Sequence, residues 1–552
     1  MYKSIKDFTL EFKNPITLLI LILIIGIFFR LFNIWDNFTF GYDQGRDAQR
    51  ISDIMTFKNL KLVGQESDIP GVFHGALTYY LLAPIHFLSN SNPNYSAIFL
   101  SIINLSGVVL LYYSSVVLFK NRGIGLVAGF FWAVSYEQIS FARFISNASA
   151  MGIASIIFFL GIAIYLFQKK QWGLTLSIVG LVLCVQFNFY LIYLILFYPI
   201  FYFIYKPKIN KRIIIPNFVI MLVLLSFYLF VELRWNFMMS KALISYFLHN
   251  RGSFDLIENT SRYASRVFEA VYYSFLALDS AVLFPLFIIF SIIGWRLMKN
   301  TKLIVFFYLW LFSTVPLFFF SSGVLETQLI NTTLFAPLTL LIAYCITQLY
   351  IKKRANLLLF ICVLLIVMFS NINLLYKDNF KSIRLLSKQN FILADEKKLI
   401  DYTYQSSKEK EFSVCALTNP LFVNTLWSYL YNWYGKDKYG YIPYWAGQEQ
   451  TNADNKLPYD KKHVSERYLI IEPPVGMPDF VKKVFIYMED NTSTLQDEKK
   501  FGDLIVQKRK LHTDLSEFTN SQNLTSQEIK SIKSKIKIDP RYTCYTTYTN
   551  DI

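Results

Sequence analysis

Charged and hydrogen-bonding side chains follow the first apolar stretch of this chain. Two carboxylates, Asp43 and Asp47, flank Arg46 in the segment GYDQGRDA. A carboxylate can accept a proton from an attacking hydroxyl group, and a guanidinium can bind two phosphate oxygens with parallel hydrogen bonds. This combination suits a reaction in which a group leaves a phosphate-linked substrate. We therefore take Asp43 and Asp47 as candidate catalytic residues.

Further polar residues occur where other apolar stretches end, in the segments HGALTYYLLAP, SFARFISN and ELRWNF and in a turn that contains Gln186. The candidates for binding substrate or phosphate are Arg46, His74, Tyr79, Arg143, Asn147, Gln186, Glu232 and Arg234. Each of these residues also has an ordinary structural explanation. Arg143 can be an interfacial anchor, and Gln186 can be a hydrogen-bonding residue between helices. Their occurrence on one side of a membrane, argued below, favours a site.

The composition predicts a multi-pass membrane protein. Of 552 residues, 54% are hydrophobic and only 17% are charged, whereas soluble domains carry about 25% charged residues. A membrane helix needs roughly 20 apolar residues. We expect about eleven spans, at about 15–34, 95–119, 123–141, 148–167, 172–188, 190–205, 213–231, 281–298, 303–320, 331–350 and 355–375. This excludes a cytosolic enzyme and an ordinary nucleic-acid-binding module, despite the net charge of +16.

The loop charges orient the spans. Five short connections, at 120–122, 168–171, 206–212, 299–302 and 352–354, contain Lys or Arg and no acid. Short basic loops stay in the cytoplasm. The sequence therefore predicts a plasma-membrane protein with a cytoplasmic N-terminus, and all the candidate site residues on the outer side.

The order of the segments also predicts three regions. Residues 1–375 form the membrane module, with large outer loops at 35–94 and 232–280. Residues 74–90 have too few residues to span and contain His74, Pro84 and His86, so we expect an interfacial helix there.

After the last span the chain becomes more polar. We predict an extracytoplasmic α/β domain at 376–510 and a loosely ordered tail at 511–552. The expected strands are 411–417, 467–473 and 501–509, with helices at 425–435 and 479–488. The five cysteines have no metal-type spacing, and we expect neither a disulfide framework nor a zinc site.

The order of these motifs resembles a known family. One span, an Asp motif in an outer loop, an HGxLTYYLLAP helix, an outer RF turn and an ELRxNF element resemble the bacterial relatives of protein O-mannosyltransferases and lipid A aminoarabinose transferases. These are GT-C fold glycosyltransferases, and the resemblance covers about residues 10–375. It implies that Asp43 is the catalytic base. Many members carry an adjacent Asp-Glu pair, whereas Asp47 lies four residues from Asp43, and this chain has His74-Gly75-Ala76 where relatives often have a proline.

The resemblance also implies the substrates. The donor would be a polyprenyl-phosphate sugar, and the acceptor would be an extracytoplasmic protein, lipid or cell-envelope glycan. Asp43 would deprotonate the acceptor hydroxyl for inverting attack, and Arg46, Arg143 and Arg234 are candidates to stabilise charge on the leaving phosphate. No DxD-like metal motif is evident, so we expect no cofactor and no divalent cation.

A transporter is the main alternative. A lipid-linked-sugar flippase would also have many spans, but we would expect ionisable residues at mid-membrane and broken spans in paired halves. A third interpretation is a sensor whose outer domain is the active part. The polar residues of this chain gather on one side, which favours the enzyme.

Overall fold

The structure is a computed structural model of the chain. It describes residues 14–67, 69–208, 210–249, 256–316, 332–353, 357–381, 391–407, 411–419, 421, 423–446, 456–460, 464–477, 479–512, 536–537 and 547–548. Most of the predicted tail at 511–552, and the end of the predicted span at 303–320, lie outside these residues.

The chain forms two compact units. The first contains Met1–Ile34, Asn59–Ile85 and Pro93–Leu386, and the second contains Trp35–Lys58, His86–Asn92 and Ser387–Ile552. The second unit therefore combines the C-terminal region with two pieces of the segment 35–94, the predicted first outer loop. The segment that carries Asp43 and Asp47 belongs to this second unit, a pairing of distant segments that no local pattern in the sequence reveals.

The first unit is mainly helical. Its helices are α1 (Pro15–Leu31), α3 (Leu77–Leu88, whose last residues fall in the second unit), α4 (Pro93–Phe119), α5 (Arg122–Val134), α6 (Tyr136–Arg143), α7 (Ala148–Ala163), α8 (Trp172–Phe187), α9 (Phe197–Tyr205), α10 (Lys211–Arg234), α11 (Met238–His249), α12 (Leu256–Ser274), α13 (Ser280–Leu297), α14 (Thr301–Leu311), α15 (Thr332–Lys353) and α16 (Leu357–Lys377). A π-turn at Ile164–Gln168 extends α7, and a 3₁₀ segment at Phe189–Leu196 precedes α9. The core is rich in aromatic residues, for example Phe159 stacked on Trp310 at 5.1 Å between ring centroids.

Within the part of the chain that the structure describes, six helices are long and apolar enough to cross a membrane, and a seventh span results if α5 and α6, bent by 56°, are counted together. The other predicted spans that the structure describes as helices (Pro15–Leu31, Trp172–Phe187, Phe189–Tyr205 and Thr301–Leu311) are shorter. The prediction of several apolar helices is confirmed, and the count of eleven spans stays a prediction. Helix α3 has 12 residues, about 18 Å of helix, which is too short to span.

Topology can be tested with reporter fusions. Because short basic loops remain in the cytoplasm, we expect a reporter fused after Lys170 to be cytoplasmic, and one fused after Asp279 or Gly440 to be extracytoplasmic. Paired alkaline phosphatase and green fluorescent protein fusions give opposite signals on the two sides. Alkaline phosphatase activity at Lys170, or fluorescence at Gly440, would contradict the predicted orientation.

The segment 35–94, the predicted first outer loop, contains regular structure. Helix α2 (Tyr42–Met55) lies in the second unit. In the first unit, strands β1 (Val63–Glu66) and β2 (Phe73–Gly75) form an antiparallel pair ahead of α3. The Glu66 carboxylate accepts a hydrogen bond from the Gly71 backbone N–H at 2.6 Å, which closes the turn of this pair.

The C-terminal part of the second unit is an α/β arrangement. Five strands, β3 (Ser413–Leu417), β4 (Tyr444–Trp445), β5 (Glu466–Ile471), β6 (Ser493–Phe501) and β7 (Leu504–Leu511), form one sheet in the order β4-β3-β5-β7-β6. Its helices are α17 (Leu393–Ser406), α18 (Thr425–Leu430), α19 (Lys436–Tyr439) and α20 (Asp479–Thr492), and a π-turn at Tyr431–Gly435 joins α18 to α19. A separate two-stranded pair is β8 (Ile536–Lys537) with β9 (Thr547–Tyr548).

The predicted strands and helices are present. The sequence did not predict β6, because seven of its nine residues are exposed and it lacks the apolar alternation of a half-buried strand.

One expectation about the cysteines is wrong. Cys415 is disulfide-bonded and lies in the fully buried strand β3. Cys184, Cys345 and Cys362 are free thiols, as expected for residues in apolar helices. Spacing along the chain could not show this bond, because a disulfide depends on spatial proximity. The extracytoplasmic location of this region stays a prediction.

Candidate active site

Helix α2 places the two candidate catalytic carboxylates on one face. It begins after Gly41, whose backbone N–H donates to the Gln44 side chain at 3.0 Å. Asp43 lies in the first turn, where the positive end of the helix dipole favours an anion. Asp47 follows one turn later, so both carboxylates project from the same side of the helix.

Arg46 joins the two carboxylates. Its guanidinium contacts Asp43 Oδ1 at 2.8 Å and Asp47 Oδ1 at 2.9 Å, and it lies 5.1 Å from the ring centre of Tyr42. The Arg46 side chain is 9% exposed, whereas the Asp43 side chain is 57% exposed. Asp43 is therefore the accessible carboxylate of the group, and Arg46 is the buried cation that orients it.

Asp47 lies in a different environment from Asp43. Its side chain is 14% exposed. Burial raises the pKa of Asp47, and the nearby positive charge of Arg46 opposes that rise. The two acids of this helix are therefore distinguished by exposure, a difference that a four-residue spacing does not reveal.

Helix α2 is packed against the C-terminal part of its own unit. A Cβ atom on Gly45 would lie only 2.8 Å from the Leu426 backbone Cα in α18, so only glycine permits this approach. On the same side, the Gln49 amide donates to Ser428 Oγ at 3.2 Å. The helix that carries the candidate base is thus held by α18, whose residues are almost 380 positions away in sequence.

In the first unit, His74 and Asn147 line one small cavity of about 70 Å³, together with Asn188 and Tyr190. The His74 Nδ1 atom accepts a hydrogen bond from the Phe189 backbone N–H at 3.2 Å. A neutral ring in this arrangement carries its proton on Nε2. The Asn147 amide donates to the Phe187 carbonyl at 2.5 Å. The structure therefore brings these two predicted residues together at the C-terminal end of α8.

Gln186 acts as a contact between helices in this structure. Its amide donates to the Leu224 carbonyl of α10 at 3.1 Å. Strand β2 approaches the same residue so closely that a Cβ on Gly75 would overlap the Gln186 side chain and lie 2.8 Å from the Gln186 Cα. Gly75 thus allows the neighbouring His74 to reach the end of α8.

We expect Gly75→Ala to destabilise the protein by about 1–3 kcal/mol, because added atoms in a packed position force the backbone apart. The double variant Gly75→Ala with Gln186→Ala should be no more stable, since the overlap includes a backbone atom. Thermal unfolding of the purified protein in detergent measures both. Gly41→Ala is the control, because its added Cβ would have no neighbour closer than 3.5 Å. Equal melting temperatures for Gly75→Ala and Gly41→Ala would contradict the packing argument.

Arg143 and Tyr79 are buried side chains. Arg143 is fully buried at the end of α6 and donates to the Asn33 carbonyl at 2.8 Å. The acid that attracts it is Asp378, which also accepts a hydrogen bond from the Tyr136 hydroxyl at 2.9 Å. Asp378 is not among the predicted site residues, although it is an acid that lies just past the end of the predicted span 355–375. Tyr79 is 2% exposed in α3.

Glu232 and Arg234 lie at the end of α10. The Glu232 carboxylate accepts the Ser240 backbone N–H at 3.1 Å and so caps the first turn of α11. Arg234 is exposed at the C-terminal end of α10. Of the three arginines predicted to face a phosphate, Arg234 is the most accessible in this structure.

The expected absence of a metal stays a prediction. Among the described residues there is no group of three or more His, Cys, Asp or Glu side chains able to hold a metal ion. Asp43 Oδ1 and Asp47 Oδ1 each contact the Arg46 guanidinium.

Comparison with solved structures identifies the fold. The crystal structure of ArnT from Cupriavidus metallidurans bound to undecaprenyl phosphate is similar over 92% of this chain and 99% of that one, with a TM-score of 0.56 and 10% identity. The chain has the GT-C fold. The fold that the sequence resemblance implied is therefore confirmed. No family model and no curated protein matches the sequence.

Two other solved structures share less of the arrangement. The apo oligosaccharyltransferase of Archaeoglobus fulgidus has 11% identity and a TM-score of 0.46, over 75% of this chain and 63% of that one. The mycobacterial arabinofuranosyltransferase AftD has 13% identity and a TM-score of 0.43, over 86% of this chain and 33% of that one.

Proposed function

We propose that the protein is an integral-membrane glycosyltransferase that moves a sugar from a polyprenyl-phosphate donor to an extracytoplasmic acceptor. The observation that carries this proposal is the group at the start of α2, where Arg46 holds an accessible Asp43 beside a mostly buried Asp47. The similarity to ArnT, whose structure contains undecaprenyl phosphate, supports a donor of that class.

The proposed mechanism assigns a role to each part of this group. Asp43 accepts the proton of the acceptor hydroxyl, and the resulting nucleophile attacks the anomeric carbon while the bond to the phosphate oxygen breaks. Attack in line with the leaving group inverts the anomeric centre. Arg46 is a positioning residue that fixes the Asp43 carboxylate. Arg234 is the candidate to stabilise the negative charge on the polyprenyl phosphate.

The other predicted residues have supporting roles in this proposal. His74 and Asn147 share a cavity at the end of α8 and are candidates to bind the sugar or the phosphate. Gln186, Glu232, Tyr79 and Arg143 make internal contacts or are buried, so we assign them to holding the outer ends of the helices in place. The acceptor remains a protein, a lipid or a cell-envelope glycan at this stage.

A reconstituted assay tests the proposal. The purified protein in proteoliposomes is supplied with undecaprenyl phosphate carrying radiolabelled hexoses or pentoses, together with an envelope extract as acceptor. We expect protein-dependent release of undecaprenyl phosphate and appearance of label in the acceptor. If the labelled lipid instead crosses the bilayer with its sugar still attached, the protein is a flippase and the transferase proposal is wrong.

A further inference from the structure

The second unit contains a large cleft that lies apart from the Asp43 and Asp47 carboxylates. Its volume is about 970 Å³, and it is lined by residues of α2, of the 89–92 segment, of α17 and of the helix that runs from α18 to α19. Small-molecule sites in proteins have volumes of roughly 300–1,000 Å³, so this cleft is at the upper end of that range.

The side chains that line the cleft have an unusual composition. Among the described residues that line the cleft there is no Ala, Val, Leu, Ile or Met, and its aromatic residues are Tyr429, Trp433 and Tyr434. The rest are amides, hydroxyls, lysines and two aspartates. A sugar ring presents a flat face of C–H groups and an edge of hydroxyls. Aromatic rings match the face, and amide and hydroxyl groups match the edge.

The aromatic rings are held in position. One turn of π-helix at Tyr431–Gly435 interrupts the helix that carries these rings, and π-helical turns within α-helices occur frequently at functional sites. Tyr429 and Trp433 stack at 5.8 Å with an angle of 18° between their rings. Tyr434 donates to the Asp401 carboxylate at 3.0 Å. Trp433 is half-buried, so part of its ring is accessible.

The charges of the cleft indicate a ligand that is neutral or weakly acidic. Lys397 is paired with Asp36 at 2.6 Å, and Lys456 with Asp53 at 3.7 Å. The other charged residues of the lining are Lys58, Lys436 and Asp437. These three residues give the cleft a small net positive charge, which is too small to bind a highly charged polyanion.

Helix α2 connects the cleft to the candidate base. Gln49, Ser52, Asp53 and Thr56 recur at helical spacing and line the cleft. At about 100° per residue, this set lies roughly half a turn around the helix from Asp43 and Asp47. One helix thus presents the candidate base on one face and the cleft on another.

We propose that this cleft binds a saccharide chain, and that the acceptor of the reaction is a glycan held there by Trp433 and its neighbouring amides. The proposal rests on the glycosyltransferase function proposed above. It narrows the acceptor from protein, lipid or glycan to glycan. A peptide acceptor is disfavoured, since the lining offers no aliphatic pocket for side chains.

Binding of the full-length protein to a glycan array tests this proposal. Labelled protein in nanodiscs is applied to printed neutral and uronic-acid-containing oligosaccharides of two to six sugars, and to a pool of random peptides. We expect retention on at least one oligosaccharide class and none on peptides. Trp433→Ala should weaken that binding by about tenfold, the effect of losing one aromatic platform. Trp433→Phe should stay within about threefold of the wild type.

The control is Tyr459→Ala, which removes an aromatic side chain that is 40% exposed in the same unit and does not line the cleft. Binding of undecaprenyl phosphate is measured in parallel and should be unchanged in all variants. Retention on peptides alone, absence of retention on any oligosaccharide, or equal retention by Trp433→Ala would overturn the cleft proposal. If the wild-type protein binds glycans but does not turn over the donor, the proposed transferase function is wrong and the proposed glycan site is still supported.

Discussion

Asp43→Asn is expected to lower the turnover of a polyprenyl-phosphate sugar by roughly 10²–10⁴-fold, because an amide cannot accept the proton of the acceptor hydroxyl. The side chain is 57% exposed, so its loss should leave folding nearly intact. Its ion pair with Arg46 is worth about 0–1 kcal/mol at such a position. The measurement is release of sugar from the donor by purified wild type and variant, with binding of undecaprenyl phosphate and thermal unfolding measured in parallel.

The alternative is that Asp43 only forms a surface ion pair with Arg46, and the two interpretations differ in outcome. Asp503→Asn is a matched control, since Asp503 is also a partly exposed carboxylate of the same unit and contacts Lys500 at 3.7 Å. It should keep full turnover. If Asp43→Asn works within about threefold of the wild type, Asp43 is not the base, and Asp47 or Glu232 becomes the next carboxylate to test.

Arg46→Met should have the second largest effect. It removes the guanidinium that contacts both carboxylates, so the base is no longer held in one orientation. Misplacing a catalytic group by about 1 Å can cost roughly 10²-fold in rate, and we expect a loss of that order. The loss of turnover should be smaller in Arg46→Lys, because the ammonium group keeps the positive charge beside the carboxylates. Some loss remains, because lysine lacks the planar fork that contacts two carboxylates at once.

The pKa of Asp47 separates this positioning role from a purely structural one. Burial raises the pKa of Asp47, and Arg46 opposes the rise. Without Arg46 the pKa of Asp47 rises further, so Asp47 keeps its proton to higher pH. NMR of the protein with isotopically labelled aspartate carboxyl groups should therefore show Asp47 titrating at higher pH in Arg46→Met and much less so in Arg46→Lys. A variant that only unfolds would give no folded-state signal for Asp47, and an unchanged rate with an unchanged Asp47 titration would contradict the assignment.

The sequence predicted apolar helices and several strands correctly, because both leave a pattern in the order of the residues. Runs of apolar residues indicate membrane helices whatever the neighbouring structure, because a bilayer imposes a length and a composition. Alternation and apolar runs likewise predicted β3, β5 and β7 of the second unit. Helix α3 was expected over 74–90 and is found over Leu77–Leu88, with its first predicted residues in strand β2 instead.

Features that depend on distant residues were not predictable in the same way. The Cys415 disulfide, the ion partner of Arg143 and the packing of Gly45 on Leu426 all join residues far apart in sequence. Gln186 illustrates the ambiguity of single residues. Its position at a span end fitted both a ligand group and a contact between helices. In this structure its amide donates to the Leu224 carbonyl of another helix, and its role as a ligand group stays a prediction.

The sequence by itself determined the class of protein, the apolar helices, the α/β character of the C-terminal region and the carboxylate–arginine group at Asp43, Arg46 and Asp47. Each depends on composition or on spacing within a few residues, where helix geometry decides which side chains meet. Only the tertiary structure decided that α2 belongs to the second unit, that Asp43 is more exposed than Asp47, and that Trp433 lines a cleft with residues of α2. Exposure and long-range packing depend on which distant segments come into contact when the chain folds, and no pattern within a short stretch of sequence indicates those contacts.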